Sequence, residues 1–329
     1  MMMMEIVRLQ SWLRLNYILW VALLTVGVQI GMVWIWFAQH PMEKGYWVAG
    51  PDDDYAQLVS AVEAIQTSKA PAVVLVGSSA LREAIVSPDE LRRQRSNKSW
   101  HVLTAGDLYP IEMAQVVSEL PRDLEGVLLL EVSLRTLSVA PSTSQQLTTK
   151  PRLPYQGVQF QQTVLKSGYT PGLGIGWLSF YLSRWNILEP MKIPYERWLF
   201  HQVDFIEPSQ IDWGEVFAKK ERWLEAISMH VETNVHLLKT IVDMAPPQMR
   251  VAFIASPRNP KWVDFHPQDP DGWTQYEGAL KELQNVVHHP IIKIDEGISA
   301  EHFLDHGHIR TLMGRQLATQ NILQLEIVQ

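Results

Sequence analysis

Three short apolar runs, each bounded by glycine and set between helical patterns, place the tightest limit on how this chain folds. Pro71 opens the first, Ala-Val-Val-Leu-Val-Gly at 72–77; the second covers 101–105 up to Gly106; the third is Gly-Val-Leu-Leu-Leu-Glu-Val at 126–132. Runs that are apolar at consecutive positions, and not at alternate ones, read as strands buried on both faces. Between and around them the period changes. Residues 55–68 put Leu58, Val59, Val62 and Ile65 on one helical face, and 88–95 and 110–120 carry helical patterns of their own. The rhythm returns later with a helix over 213–244, a strand over 250–255, a helix over 273–287, a strand over 291–294 and a last helix from 309 to about 325. Strands alternating with helices predict an α/β domain whose mainly parallel sheet is covered on both faces.

Residues 138–210 interrupt that rhythm with Pro, Gly, Gln and aromatics and little periodicity. A stretch of this kind reads as an insertion that serves as a lid, a binding element or an excursion along a partner. Its Gly172–Gly176 segment, GLGIG, lacks a preceding strand and the spacing of a dinucleotide fingerprint. Seven tryptophans, Trp177, Trp185, Trp198, Trp213, Trp223, Trp262 and Trp273, fall in or after the insertion; core packing is their default role, with sugar stacking or a membrane-surface position for two or three.

Ahead of the α/β pattern, residues 15–38 contain no charged side chain and only Asn16 and Gln29 as strongly polar ones. Roughly 20 such residues cross a hydrocarbon core of ~30 Å. Arg8 and Arg14 precede the stretch, while Glu43, Lys44 and Asp52 to Asp54 follow it, so the positive-inside rule puts residues 1–14 in the cytoplasm. The expected organisation is a signal anchor at 15–38, a linker at 39–54 and an extracytoplasmic domain at 55–329, in the periplasm or at the cell surface. A cleaved signal peptide and a buried core helix are the competing readings, and Phe37-Ala38-Gln39-His40-Pro41 is a poor cleavage site.

Charge and cysteine usage narrow the function. With 28 basic against 35 acidic residues there is no excess of cations to grip a phosphate backbone, which argues against nucleic acid as a partner. The absence of cysteine excludes disulfides, cysteine-ligated metal clusters and thiol nucleophiles, and suits an oxidising compartment. Covalent catalysis would then fall to Ser, Thr, Lys or a carboxylate.

The first strand runs directly into Gly77-Ser78-Ser79-Ala80. A serine in a strand-to-helix turn exposes its hydroxyl at the carboxyl edge of the sheet, beside the free N–H groups of a helix start. By itself this pattern is more often a helix cap or an anion site. A serine nucleophile needs a base, and the base a carboxylate to hold its tautomer. Asp305 and His308, on a loop before the last helix, offer both. The rival readings of His302, Asp305, His306 and His308 are a metal site or a solvated loop.

An early Gly-x-Ser after the first strand and a late Asp-x-x-His before a terminal helix resemble the SGNH or GDSL-type serine hydrolases, in particular a membrane-anchored cell-envelope branch. The resemblance covers about residues 70–325 and implies an SGNH-like three-layer sandwich. It assigns Ser79 as nucleophile, Asp305 as orienting acid, His308 as general base, and the backbone N–H groups of Ser79 and Gly106 as the oxyanion hole. Ser78 stands where the family often has Asp, and Leu130-Glu131-Val132-Ser133 lacks the family's usual Asn; both serines lie in the turn, which leaves the choice between them open, with strand-edge geometry and the family pattern favouring Ser79. Arg82 matches the Gly-Ser-Ser-x-x-Arg form of the envelope branch. Arg82, Ser133, Arg258 and Asn259 are candidates for substrate contacts, with local pairing and turn formation as alternatives.

The resemblance implies a serine esterase or O-acyltransferase for acyl, chiefly acetyl, esters of a cell-envelope polysaccharide, with no cofactor or metal. A membrane acyltransferase or polysaccharide machinery would be its partner. The alternative is a catalytically degenerate SGNH-like scaffold or glycan-binding subunit of such a complex.

Overall fold

The computed structural model describes residues 19–21, 23–29, 54–67, 71–86, 90, 91, 93, 98–172, 213–261 and 273–328. Residues 39–53 of the linker, most of the uncharged stretch, residues 173–210 of the insertion, and Trp177, Trp185, Trp198 and Trp262 lie outside them. Residues 19–21 and 23–29 are helical, with Trp20 and Leu24 exposed. Among the described residues, no helix is long and apolar enough to cross a membrane.

The elements follow in the order α1 (Asp54–Ile65), β1 (Ala72–Gly77), α2 (Ser79–Ala84), β2 (Ser99–Thr104), α3 (Pro110–Ser118), β3 (Gly126–Val132), α4 (Leu134–Ser138), α5 (Pro141–Thr149), α6 (Val158–Lys166), α7 (Trp213–Met244), β4 (Met249–Ala255), α8 (Thr274–Val287), β5 (Ile291–Lys293) and α9 (Leu312–Leu323). The five strands form one all-parallel sheet in the order β2-β1-β3-β4-β5. The fold is therefore α/β, as the alternation of strand and helix patterns requires.

Both faces of the sheet are dry because each central strand is apolar at odd and even positions. Val74 and Val76 of β1, Leu128 and Leu130 of β3, and Phe253 of β4 share one core with residues of α1, α3, α6, α7 and α8. Val73, Leu75, Val127, Leu129 and Ile254 point the other way, into a core closed by Leu81 of α2 and by Ala318, Ile322 and Leu323 of α9. Trp100 is fully buried in this second core. At about 1.5–3 kcal/mol for each fully buried large side chain, these two layers are the principal source of stability.

The first part of the predicted insertion is regular structure. The helices α5 and α6 have sequences PSTSQQLTT and VQFQQTVLK, with too few apolar residues for a clear stripe, yet α5 buries Ser144, Leu147 and Thr148 and α6 buries Phe160, Thr163 and Val164. Hydrogen bonding compensates for the two threonines, Thr148 Oγ1 donating to the carbonyl of Thr170 at 2.9 Å and Thr163 Oγ1 to that of Gln159 at 3.0 Å, whereas the buried Ser144 hydroxyl has no hydrogen-bond partner among the described residues.

Strand order positions the site. From β1 the chain passes to β2 on one side and then to β3 on the other, so the loops leaving β1 and β3 diverge and leave a crevice at their carboxyl ends, the usual ligand position in open α/β sheets.

Candidate active site

The crevice holds the Ser78-Ser79 turn. Ser78 is the N-cap of α2, in extended conformation, and its Oγ accepts the N–H of Ala80 at 3.2 Å. Ser79 is the first helical residue, and it is the Ser79 hydroxyl that reaches the histidine loop: Ser79 Oγ lies 2.9 Å from His308 Nε2. The N–H of Ser79, in the first turn, has no acceptor within its own helix.

His308 is held from the other side by Asp305. Its Nδ1 lies 2.7 Å from Asp305 Oδ2, while Asp305 Oδ1 accepts the backbone N–H groups of Gly307 and His308, each at 2.8 Å. An ionised Asp305 can only accept, so Nδ1 carries the proton and Nε2 of the neutral ring is left to accept from Ser79. Burial pushes the Asp305 carboxyl up, but the His308 hydrogen bond, the neighbouring imidazoles of His306 and His308 and the Gly307 N–H outweigh it and hold the group well below the carboxylate range. For His308, burial pulls the pKa down; the bond to Asp305 and the charges of Asp305, Glu83 and Glu131 outweigh that and raise it. Both side chains are about a quarter exposed, at 24% each, so the pair is reachable from solvent.

The histidine loop is braced by Asn259. This fully buried side chain donates through Nδ2 to the carbonyl of Asp305 at 2.9 Å and accepts the N–H of Lys261 at Oδ1 at 2.9 Å, while its own N–H donates to the carbonyl of His306 at 2.9 Å. Arg258 next to it turns away to Asp295, with Nε to Oδ2 at 2.8 Å, and to Glu277. Ser133 caps α4, its Oγ accepting the N–H of Thr136 at 3.0 Å. Arg82 lies on α2, one turn beyond Ser79, partly exposed.

Gly106 leads the β2 loop, and that loop is clamped at several points. Tyr55 donates its hydroxyl to the carbonyl of Gly106 at 2.9 Å. Asp107 adopts a left-handed φ of 54° and its carbonyl accepts from Arg152 at 2.9 Å, while its carboxylate pairs with Arg135. Arg152 also binds the buried Glu112 at the start of α3, Nε to Oε1 at 2.7 Å. The Arg135 guanidinium lies over the Trp223 ring, 4.9 Å from its centroid, and Trp223 meets the His306 ring edge-on at 4.8 Å. α7 is joined to the same wall by Asn234, whose Nδ2 donates to the carbonyls of Leu137 and Val139 at 2.9 and 3.0 Å.

Sequence reasoning passed over Arg135, Asp107, Tyr55 and Asn234, since each acts on a group far away in the chain. Glu131 did carry a signal, as a lone charge inside an apolar strand. Among the described residues no cluster of three or more His, Asp or Glu is arranged to hold a metal ion. His302 instead contacts Thr311, Nδ1 to Oγ1 at 2.6 Å. No family model matches this chain, and no curated protein matches it. The parallel sheet of five strands is compatible with SGNH hydrolases and with many other α/β proteins.

Proposed function

We propose that this protein is an SGNH-like serine esterase or O-acyltransferase, anchored in the membrane by residues 15–38 and facing the periplasm or cell exterior. The observation that carries the reading is the continuous chain of hydrogen bonds from Ser79 Oγ through His308 to Asp305 at a sheet-edge crevice.

In this reading Ser79 Oγ attacks the ester carbonyl carbon as its proton passes to His308 Nε2. The C–O π bond opens to an oxyanion, which the N–H groups of Ser79 and Gly106 receive. Collapse breaks the bond to the leaving alcohol, which takes the proton from His308, and the acyl group remains on Ser79. Water or a sugar hydroxyl then attacks the acyl-serine, its proton going to His308; collapse breaks the bond between the acyl carbon and Ser79 Oγ, His308 returns the proton to Oγ, and the acyl group leaves with the acceptor. Asp305 keeps the imidazole in the correct tautomer and stabilises the imidazolium. Loss of one oxyanion donor costs on the order of 100-fold in rate, so a site without the family's Asn is a slow or narrow enzyme.

The substrate class follows from the SGNH resemblance: O-acetyl groups on a cell-envelope polysaccharide, handled beside a membrane acyltransferase or export machinery. The test is acetate release from p-nitrophenyl acetate and from O-acetylated polysaccharide by the full-length chain, with Ser79→Ala as control. Activity lost in the variant supports the enzyme. A folded wild type inert on both, and unable to move acetyl between glycans, favours the scaffold reading, to which the missing Asn points.

A further inference from the structure

Glu131 is a fully buried carboxylate in the middle of the sheet, and the chemistry above does not use it. It belongs to β3, beside the end of β1, where Val76 pairs with Leu130. Its Oε2 accepts the backbone N–H of Ser78, and its Oε1 accepts the hydroxyl of Ser256, which follows β4. Three strand ends therefore meet at one carboxylate: the turn after β1, β3 itself, and the turn after β4. An unsolvated charge in such a place is expensive, and these donors make it tolerable. Space for it comes from Gly77. A Cβ at that position would lie 2.5 Å from Glu131 Oε2 and 2.6 Å from its Cβ.

Resting on the esterase reading, we propose that Glu131 is a positioning residue for Ser79: its carboxylate grips the Ser78 N–H, fixing the turn that presents the Ser79 hydroxyl to His308. The same group acts on His308 through space. The charges that bear on His308 are those of Asp305, Glu83 of α2 and Glu131 of β3, with the His306 ring edge-on to it and Arg135 of α4 acting on Asp305. Burial raises the Glu131 pKa, and the Ser256 and Ser78 hydrogen bonds and the charge on His308 work against that rise. When it is ionised, a state that its Ser78 and Ser256 donors favour and burial opposes, Glu131 favours the imidazolium that forms when Ser79 gives up its proton. A backbone N–H bonded to a carboxylate is stronger than one bonded to a neutral oxygen, so the turn is also stiffer.

The test uses the full-length chain with histidine-selective 13C labelling. NMR titration gives the His308 midpoint, and the rate of fluorophosphonate labelling at Ser79 gives nucleophile reactivity. Glu131→Gln keeps the shape and can still accept the Ser78 N–H, but removes the charge; Ser256→Ala is a milder second variant that removes one donor to the carboxylate. The expected result is a His308 midpoint below that of wild type in both variants, with labelling slowed about 10-fold or more in Glu131→Gln. An unchanged midpoint and an unchanged labelling rate in folded Glu131→Gln would overturn the proposal. A wild type that never labels sinks the esterase reading instead, and the His308 midpoint still reports on Glu131.

Discussion

Ser79 and His308 stand 229 positions apart in the chain, and their side chains lie 2.9 Å from each other. Ser79 is set by the N-terminal half of the sheet, through β1 and the cap of α2; His308 is set by the C-terminal half, through Asn259 after β4 and the loop ahead of α9. The two meet only if the strands take the order β2-β1-β3-β4-β5, which brings both loops to one edge. Each expected outcome below tests one part of that arrangement.

Asp305→Asn exchanges the acceptor of the His308 Nδ1 proton for a group that can present N–H to it. The wrong tautomer then faces Ser79. Turnover on p-nitrophenyl acetate is expected to fall about 10³- to 10⁴-fold, the loss known for Ser-His-Asp enzymes, with KM little changed. A loss below 10-fold would remove Asp305 from the mechanism.

The pH profile has a fixed sign. His308 must be neutral to act as base, and its pKa is raised from the ordinary 6.5, so the acid limb of kcat/KM lies above that value and activity falls as pH drops through it. Stability responds differently at the two partners. Asp305, held low, contributes stability that is present above the ordinary carboxylate range and lost on acidification. His308, held high, contributes stability that is complete below its unfolded pKa and lost as pH rises through the folded one. Rate profiles and thermal melts across pH 3–9 separate these effects, and an acid limb below 6.5 would contradict the geometry.

Gly77→Ala forces a methyl group into Glu131. Overpacking of this kind costs about 1–3 kcal/mol, read as a lower Tm. Combined with Glu131→Gly, which removes both the carboxylate and the Cβ that the new methyl would meet, the two changes should be strongly non-additive, and a simple sum would mean that the residues do not share that space.

Arg258 was a reasonable substrate contact from its place at a sheet edge, but its guanidinium is occupied by Asp295 and Glu277. Arg258→Met leaves Asp295 only the backbone N–H of position 258 and Glu277 only Lys293, and is expected to lower stability by about 1–3 kcal/mol with KM unchanged. A raised KM at unchanged Tm would restore the substrate role.

The chain has no cysteine, so single cysteines report topology directly. In intact cells a membrane-impermeant maleimide is expected to label Lys150→Cys and to leave Glu5→Cys unlabelled until the membrane is opened. The reverse pattern would place the α/β domain in the cytoplasm.

The strands were readable because each apolar run is buried on both faces, and a local run of Val and Leu is enough to show that. α5 and α6 were not, since polar helices that bury Thr148 and Thr163 are stabilised by partners that no period announces. At the site, Ser79, Asp305 and His308 declared themselves by residue type and order. The supports around them did not show their roles: Asn259, expected as a substrate contact, holds a carbonyl 46 residues on, and Tyr55 holds one 51 residues on. Glu131 was visible as an anomaly in its strand, but its meaning depended on Gly77 lying beside it.

The central claim is that Ser79 is a nucleophile activated by His308. Its most direct test is labelling of the full-length chain with a fluorophosphonate probe, followed by mass mapping of the modified peptide. Labelling at Ser79, abolished by Ser79→Ala and reduced at least about 100-fold by His308→Ala, is the expected result. A folded chain that stays unlabelled, or is labelled equally well without His308, would contradict it.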